Sequence, residues 1–584
     1  MISGEKQKAG FLRPLAFSRT YLTGKSWVIY LIVASSAGSM AARLLVPIYI
    51  GLAVDAIQAL NMAELSSFAT LILLVSVISG LLQFFVNYSS QYVSQTYAYN
   101  LRRTVFSNLI SKKYSFYESQ TSGDLLSRCT MDIEASRNFV VATLSQMIPT
   151  FMMIGISFYL LFTLNLYFAL IFLVTVPVLI ALGTRVQRLQ RPHWRSIRKY
   201  YGIMNENLQE NIVGQRVVRG FSLEHKEIDK FQGTTNEYFQ EYQQTAKIRG
   251  VYNNLMPLMV SFATAAIMLY GGYTIMGTTH DVGALVSVVT IFGLIAVPIS
   301  SIGRLIVFSE NANAGIERIG LITSENDLED LNGSREGVGV GVLNLSEVSF
   351  ARGGKSVLSG ISLEVSSGEF VAITGRTASG KSTLLSLLQR LYEPDSGLIS
   401  IDGKDIREMP LTVLRRTLAV VPQEINILSG TIRENILLGS TAVTDDQVRR
   451  AAEIAEISGF IESLPDKYDT MVGERGITLS GGQKQRMGIA RAILASPSVL
   501  ILDDATSSVD TETELRIVTN LRREMGRTAV IFVTLRNSLL NFADTVYELK
   551  SGGLKRVTMD TGNDNEPSGE DADTLGGEYR AGHI

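Results

Sequence analysis

The sequence predicts an α-helical membrane domain of six spans, with long helical extensions beyond the bilayer, fused to a soluble α/β domain of the P-loop type. Three observations predict it. Six apolar stretches come as three hairpins, the hydrophobic pattern changes after Glu317 to short strands and glycine-rich turns, and one of those strands runs straight into a glycine-rich loop and a helix. At 584 residues, 46% of them hydrophobic, the chain exceeds what a single core organises. Two domains of different solvent preference are therefore expected.

The apolar stretches lie near residues 27–50, 67–90, 139–163, 165–187, 253–277 and 282–306, each long enough to cross a bilayer. On one side the connections Gly51 to Ser66, Leu164 to Asn165 and Gly277 to Val282 are short and hold no Lys or Arg. On the other, residues 91–138 hold six Lys/Arg and residues 185–252 hold twelve. The positive-inside rule then places those two segments and both termini in the cytosol, at the cell membrane. Stretches such as Tyr97 to Tyr114 and Tyr200 to Phe221 keep a helical apolar spacing, so the spans should continue out of the bilayer as stalks. Glu118 to Asp124 and Val213 to Gln215 supply the turns at their far ends.

The remaining boundaries come from composition. Residues 1–25 carry five Lys/Arg without an apolar core or cleavage site, and read as a basic helix on the cytosolic membrane surface. Residues 26–320 form the membrane domain, 321–341 an acidic, glycine-rich linker, 342–553 the soluble domain, and 554–584 an acidic tail with the composition of disorder. A net charge of −2 gives no reason to expect a nucleic-acid partner. Cys129 is the only cysteine, which excludes an intrachain disulfide and a thiolate metal cluster.

Chemistry concentrates in the soluble domain. Phe370–Thr374 reads as a buried strand, followed by Gly375, Arg376, Thr377, Ala378, Ser379, Gly380, Lys381, Ser382 and Thr383, where a leucine-rich helix begins. Glycines let backbone N–H groups turn inward on a triphosphate, and the helix N-terminus adds partial positive charge. Lys381 reaches the β- and γ-phosphates, and the Ser382 hydroxyl is offered to Mg²⁺. A second apolar run, Val499–Leu502, ends in Asp503 and Asp504. There Asp503 is placed to hold the magnesium shell and its neighbour to orient water.

Between these motifs stand Val421-Pro-Gln-Glu424, Val472-Gly-Glu-Arg-Gly476 and Leu479-Ser-Gly-Gly-Gln483. With this set the sequence resembles the ATP-binding cassette superfamily. Its six-span plan, paired stalks and stretches such as Glu206 to Arg219 resemble the exporter-type half-transporters of the multidrug and lipid branch. The resemblance implies a site for ATP and Mg²⁺, in which Gln423 senses the metal and the γ-phosphate, and Val509-Asp510 belongs to a loop that communicates across a dimer. It also implies that Ser480, Gly481, Gly482 and Gln483 touch the nucleotide held by a second half-transporter. A single cassette thus implies a pair of chains.

Three positions depart from the family pattern. Asp504 stands where the family has a glutamate that polarises the attacking water, which retracts the carboxylate by about 1.5 Å. Leu535 stands where the family has a histidine that contacts the γ-phosphate, and Arg352 where an aromatic residue stacks on adenine. The signature Leu479 to Gln483 is complete. The expectation is the degenerate subunit of a heterodimeric exporter, whose partner carries the intact glutamate and histidine. Arg43 and Arg304 are the exceptional charges of the spans, which otherwise offer Met, Phe, Tyr, Ser and Thr side chains. This favours a drug-like or lipid-like amphipathic substrate over a small ion. A slow homodimeric exporter or flippase, and an ATP-gated channel, stand as alternatives, though nothing in the spans resembles a ring of ion-selective charges.

Overall fold

The computed structural model describes residues 13–22, 26–275, 282–324, 329, 341–438, 440, 443–473 and 479–557. The chain divides into two compact units, Met1–Lys112 with Gln120–Asp327, and Lys113–Ser119 with Leu328–Ile584.

The first unit is helical throughout. Its described residues hold five helices long and apolar enough to cross a membrane, Trp27–Gln58, Met62–Ile110, Ser122–Leu164, Leu166–Val213 and Glu224–Tyr273. A sixth helix, Val282–Thr323, carries the shorter apolar stretch Val282–Ile295. Met62–Ile110 has 49 residues, roughly 73 Å at 1.5 Å per residue, more than twice the ~30 Å of hydrocarbon it has to cross. The long extensions expected from the sequence are therefore present. Residues such as Leu73, Leu81, Phe84 and Leu269 point outward from these helices, where lipid rather than water accounts for their exposure.

Local sequence sets the helix ends. Asn61 caps Met62–Ile110 by accepting from the Glu64 N–H at 3.3 Å. Asn165 alone separates two membrane helices, with an extended backbone and a side chain that accepts from the Tyr167 N–H at 2.9 Å. Gly214 ends the fourth, and a Cβ there would lie 2.9 Å from the Glu210 carbonyl. Within Ser122–Leu164 the helix loosens twice into π-helical turns, Arg128–Asp132 and Thr143–Met147, which no pattern in the sequence announced.

At one end of the unit the first and sixth helices meet through glycine. A Cβ on Gly51 would fall 2.2 Å from the Gly283 carbonyl, and the Gly283 N–H donates to Asp55 at 2.7 Å. Farther along, buried Asp132 accepts from both Arg318 nitrogens, Nε at 2.8 Å and Nη2 as a short bond. Asp132→Ala removes both bonds but leaves the half-exposed Arg318 to solvent, and is expected to lower stability by about 1–2 kcal/mol, read as a fall in the thermal unfolding midpoint in detergent.

The second unit holds two sheets. A four-stranded antiparallel sheet runs Lys355–Val365, Leu343–Arg352, Ser396–Ile401, Lys404–Asp405. A six-stranded sheet runs Gly553–Val557, Thr545–Lys550, Phe370–Thr374, Ala529–Val533, Val499–Asp503, Leu418–Val421, all neighbours parallel except the first pair. Its central strands are buried on both faces, as near-continuous Val, Ile and Leu runs require. Val557 pairs with Val546, so this domain extends to Val557 and not to the boundary at 553 drawn from composition. The basic segment before Arg13, nearly all of the linker and the tail after Val557 lie outside the described residues.

Candidate nucleotide site

Parallel strands deliver the site. Val533 pairs with both Ile373 and Asp503, so the three central strands end level with one another, and the loops leaving them gather at one edge. That edge, beyond the carboxyl ends of a parallel sheet, is where such folds place ligands. Val421 pairs with Leu502, which brings Gln423, two residues past its strand, beside Asp504. The Gln423 Nε2 donates to Asp504 Oδ2 at 3.4 Å. The structure thus gathers Gly375 to Ser382, Gln423, Asp503, Asp504 and Leu535 from four sequence-distant segments.

The phosphate loop depends on backbone that L-residues seldom adopt. Gly380 has φ +109° and caps the helix Lys381–Leu388, and a Cβ on Gly375 would meet the Leu549 carbonyl at 2.4 Å. Ala378 sits at φ +64° without that licence, a strained position that stands at the mouth of the loop. Lys381 folds back on its own loop, donating to the Gly375 carbonyl in a short bond and to the Arg376 carbonyl at 3.0 Å. Among the described residues, the Ser379 hydroxyl is buried without a partner. An orphaned donor, a borrowed lysine and two Cβ-free positions fit a bound phosphate chain, which would supply the acceptors that the loop lacks.

The acidic pair fits a divalent cation. Burial pushes the Asp503 carboxyl above its ordinary range, Asp504 adds to the shift, and Lys381 opposes it. Burial lowers the Lys381 ammonium in turn, against the pull of Asp503 and Asp504. Two carboxylates crowded beside one lysine would be relieved by positive charge at Asp503, with the Ser382 hydroxyl on the first turn of the adjacent helix. Mg²⁺ there would shield the phosphates and polarise the bond to be cleaved.

The two positions that depart from the family pattern look different in space. Asp504 has φ +47°, anchored by its N–H to the Val533 carbonyl at 2.9 Å, and its carboxylate leans on Gln423. Leu535 is 61% exposed and offers no donor or acceptor to the site. Its neighbour Arg536 turns away, donating to the Val509 carbonyl at 3.2 Å and to the Ser507 carbonyl in a short bond. It thereby ties the strand end to the Val509-Asp510 loop.

The signature segment opens a helix at Gly481. Ser480 caps the helix Gly481–Leu494 and forms a reciprocal box with Gln483. A Cβ on Gly481 would lie 3.2 Å from the Ser508 side chain, and one on Gly482 would lie 2.7 Å from the Ser508 carbonyl, so both glycines are needed for close approach. Of Val472 to Gly476, only Val472 and Gly473 are among the described residues.

Arg352 is engaged on one side, while 56% of its side chain stays exposed. It ends a strand of a two-residue hairpin whose glycines, Gly353 and Gly354, take φ +59° and +78°. Its guanidinium pairs with Glu118 and lies 5.6 Å over the Tyr392 ring. Glu118 belongs to the short helix Tyr114–Glu118, which packs as part of this unit, with Tyr114 edge-on to Tyr392 at 5.8 Å. Burial first, then the nearby Glu118 carboxylate, pushes the Tyr392 hydroxyl up to about 12.

Two supporting groups escaped sequence reasoning. Glu514 is fully buried and accepts from Thr506 Oγ1 at 2.5 Å, Ser538 Oγ at 2.8 Å and Arg536 at 3.3 Å. Gln485 bridges the signature helix to the neighbouring loop, donating to Ser507 Oγ and accepting from the Ser508 N–H, both at 2.8 Å. Each is an ordinary polar residue of an amphipathic helix, and no spacing rule marks it.

Two family models match the chain, the ABC transporter transmembrane region over residues 29–299 and the ABC transporter domain over residues 358–507. The chain belongs to the ABC transporter family. Among its relatives is the probable multidrug resistance ABC transporter ATP-binding/permease protein YheI of Bacillus subtilis, 32% identical, the match covering 77% of this chain and 78% of that one. Another is the ATP-dependent lipid A-core flippase of Aromatoleum aromaticum, 31% identical over 83% of this chain and 81% of that one. A solved bacterial Atm1-family ABC exporter with ATP bound superposes with a TM-score of 0.75 at 26% identity, covering 94% of this chain and 96% of that one. This ABC transporter is therefore a multi-pass membrane protein of the exporter type, whose ATP-binding domain couples ATP hydrolysis to transport.

Proposed function

We propose that this ABC transporter exports amphipathic or lipophilic compounds as the degenerate-site half of a heterodimer, its nucleotide domain and both termini facing the cytosol. The observation that carries the reading is an asymmetry within one chain. The half-site built on Lys381, Ser382 and Asp503 has a retracted carboxylate at Asp504 and an apolar, exposed Leu535, while Ser480 to Gln483 form an intact capped helix terminus. Lys381, the loop N–H groups and Ser379 hold the nucleotide, and Gln423 holds the Asp504 carboxylate to one side.

A carboxylate that acts as a base has to reach its water, and a displacement of ~1 Å lowers such a rate on the order of 100-fold. ATP on Lys381 then stays bound through many cycles, and turnover falls to the composite site that Ser480 and Gly482 complete. The relatives named for multidrug resistance and for lipid A-core flipping support an amphipathic substrate. The test is the purified chain alone, which should bind ATP and hydrolyse it at about 1% of an ordinary exporter rate or less. Full exporter turnover by this chain alone contradicts the proposal and favours the homodimer.

A further inference from the structure

The six apolar stretches of the sequence contain three charged residues, Arg43, Arg185 and Arg304, and not one Asp or Glu. Arg185 and Arg304 stand near the ends of their stretches, and Arg43 stands far from either end of its helix. Arg43 and Arg304 share one cavity. A space of about 310 Å³ within the membrane unit is lined by Arg43 of the first helix, Gln83 of the second, Ser145, Gln146 and Thr150 of the third, and Arg304 of the sixth. Met40 and Met153 line the same cavity and give it an apolar wall.

Arg43 has no route to water along its own helix. It lies 7 residues inside the nearer end of the apolar stretch 27–50. At 1.5 Å per residue that is roughly 10 Å, beyond the reach of its side chain. Among the described residues, neither Arg43 nor Arg304 has an ion-pair or hydrogen-bond partner for its guanidinium. Both are exposed to the cavity side of the unit rather than packed away.

The rest of the cavity lining is also suited to a ligand. Ser145 and Gln146 sit on the π-helical turn Thr143–Met147, a local loosening that recurs at functional sites. Gln83 is held in place, accepting from Ser39 Oγ at 3.4 Å and donating to Asn87 at 3.1 Å. Two unneutralised guanidiniums, neutral polar groups across from them and flexible methionines beside them call for one kind of occupant.

We propose that this cavity is the head-group subsite of the transported molecule, and that the substrate is an anionic amphiphile bearing a phosphate, carboxylate or sulfonate. The inference rests on the exporter reading and narrows it, because hydrophobic cations would meet two positive charges and no acid here. Arg43 and Arg304 take the anionic head in forked hydrogen bonds, and the apolar body lies along Met40 and Met153.

The assembled transporter in zwitterionic nanodiscs tests this with fluorescent twelve-carbon probes ending in lysophosphatidic acid, sulfonate or trimethylammonium. Both anionic probes should bind at least about 10-fold tighter than the cation. Arg43→Gln or Arg304→Gln should remove that preference, Arg43→Lys should keep most of it, and fluorescent ATP should bind all variants alike. Preference for lysophosphatidic acid over the sulfonate marks a membrane lipid as the source, and equal binding marks acidic compounds in general; either supports the subsite. Equal affinity for the anionic and cationic probes, or a preference untouched by both Gln variants, overturns it. ATP-driven movement in inside-out vesicles separates the two readings. Pumping of the cationic probe alone leaves the exporter and removes the anionic subsite, whereas anion-selective binding without ATP-driven movement of any probe removes the exporter reading instead.

Discussion

Ser480→Arg or Gly482→Asp in this chain should lower the ATPase rate of the assembled transporter by about 100- to 1,000-fold, the range seen when a preorganised donor to transition-state charge is removed. The reason is local. Ser480 caps Gly481–Leu494, and its box with Gln483 fixes the helix terminus that the proposed function turns toward the partner's phosphate. An aspartate at 482 brings negative charge to that terminus, with a Cβ 2.7 Å from the Ser508 carbonyl. The Ser508 loop is itself held by Gln485 and Arg536, so the clash spreads along the loop toward Val509. In contrast, Asp504→Asn should change the rate of the assembled transporter by less than about 2-fold, because the proposed function assigns Asp504 to the slow site. Steady-state phosphate release from the two variants checks both.

Restoring the slow site has the opposite sign. Asp504→Glu with Leu535→His is expected to raise turnover at this chain's own nucleotide by on the order of 10- to 100-fold. Glutamate carries the carboxylate about 1.5 Å farther from a backbone that the Val533 carbonyl fixes. Position 535 is 61% exposed, so a histidine meets no steric barrier there. Either change alone should do much less than the pair, since a base without charge stabilisation, or the reverse, leaves the transition state half-supported. Single-turnover decay of ATP bound to this chain measures the effect.

Much of this is legible in the amino-acid order, because the controlling signals are local or periodic. Hydropathy and the Lys/Arg asymmetry give the spans, and a glycine-rich loop between an apolar strand and a helix gives the phosphate site. The Gln423–Asp504 contact is less accessible, since it depends on the register Val421 to Leu502. No pattern warns that Arg352 is engaged by Glu118, more than two hundred residues earlier, because an ion pair leaves no periodicity. The π-turns and the shared cavity of Arg43 and Arg304 are of the same kind. A charge in a span can be seen in a sequence, but which other charge it meets is decided by helix packing.

The central claim is that this chain holds ATP without cleaving it. Photolabelling the working transporter with azido-ATP carrying the radiolabel on either the α- or the γ-phosphate, and then resolving the two subunits, reads that directly. This chain is expected to retain γ-label and α-label equally after many turnovers, while γ-label disappears from its partner. Loss of γ-label from this chain at the rate of overall turnover would contradict the claim.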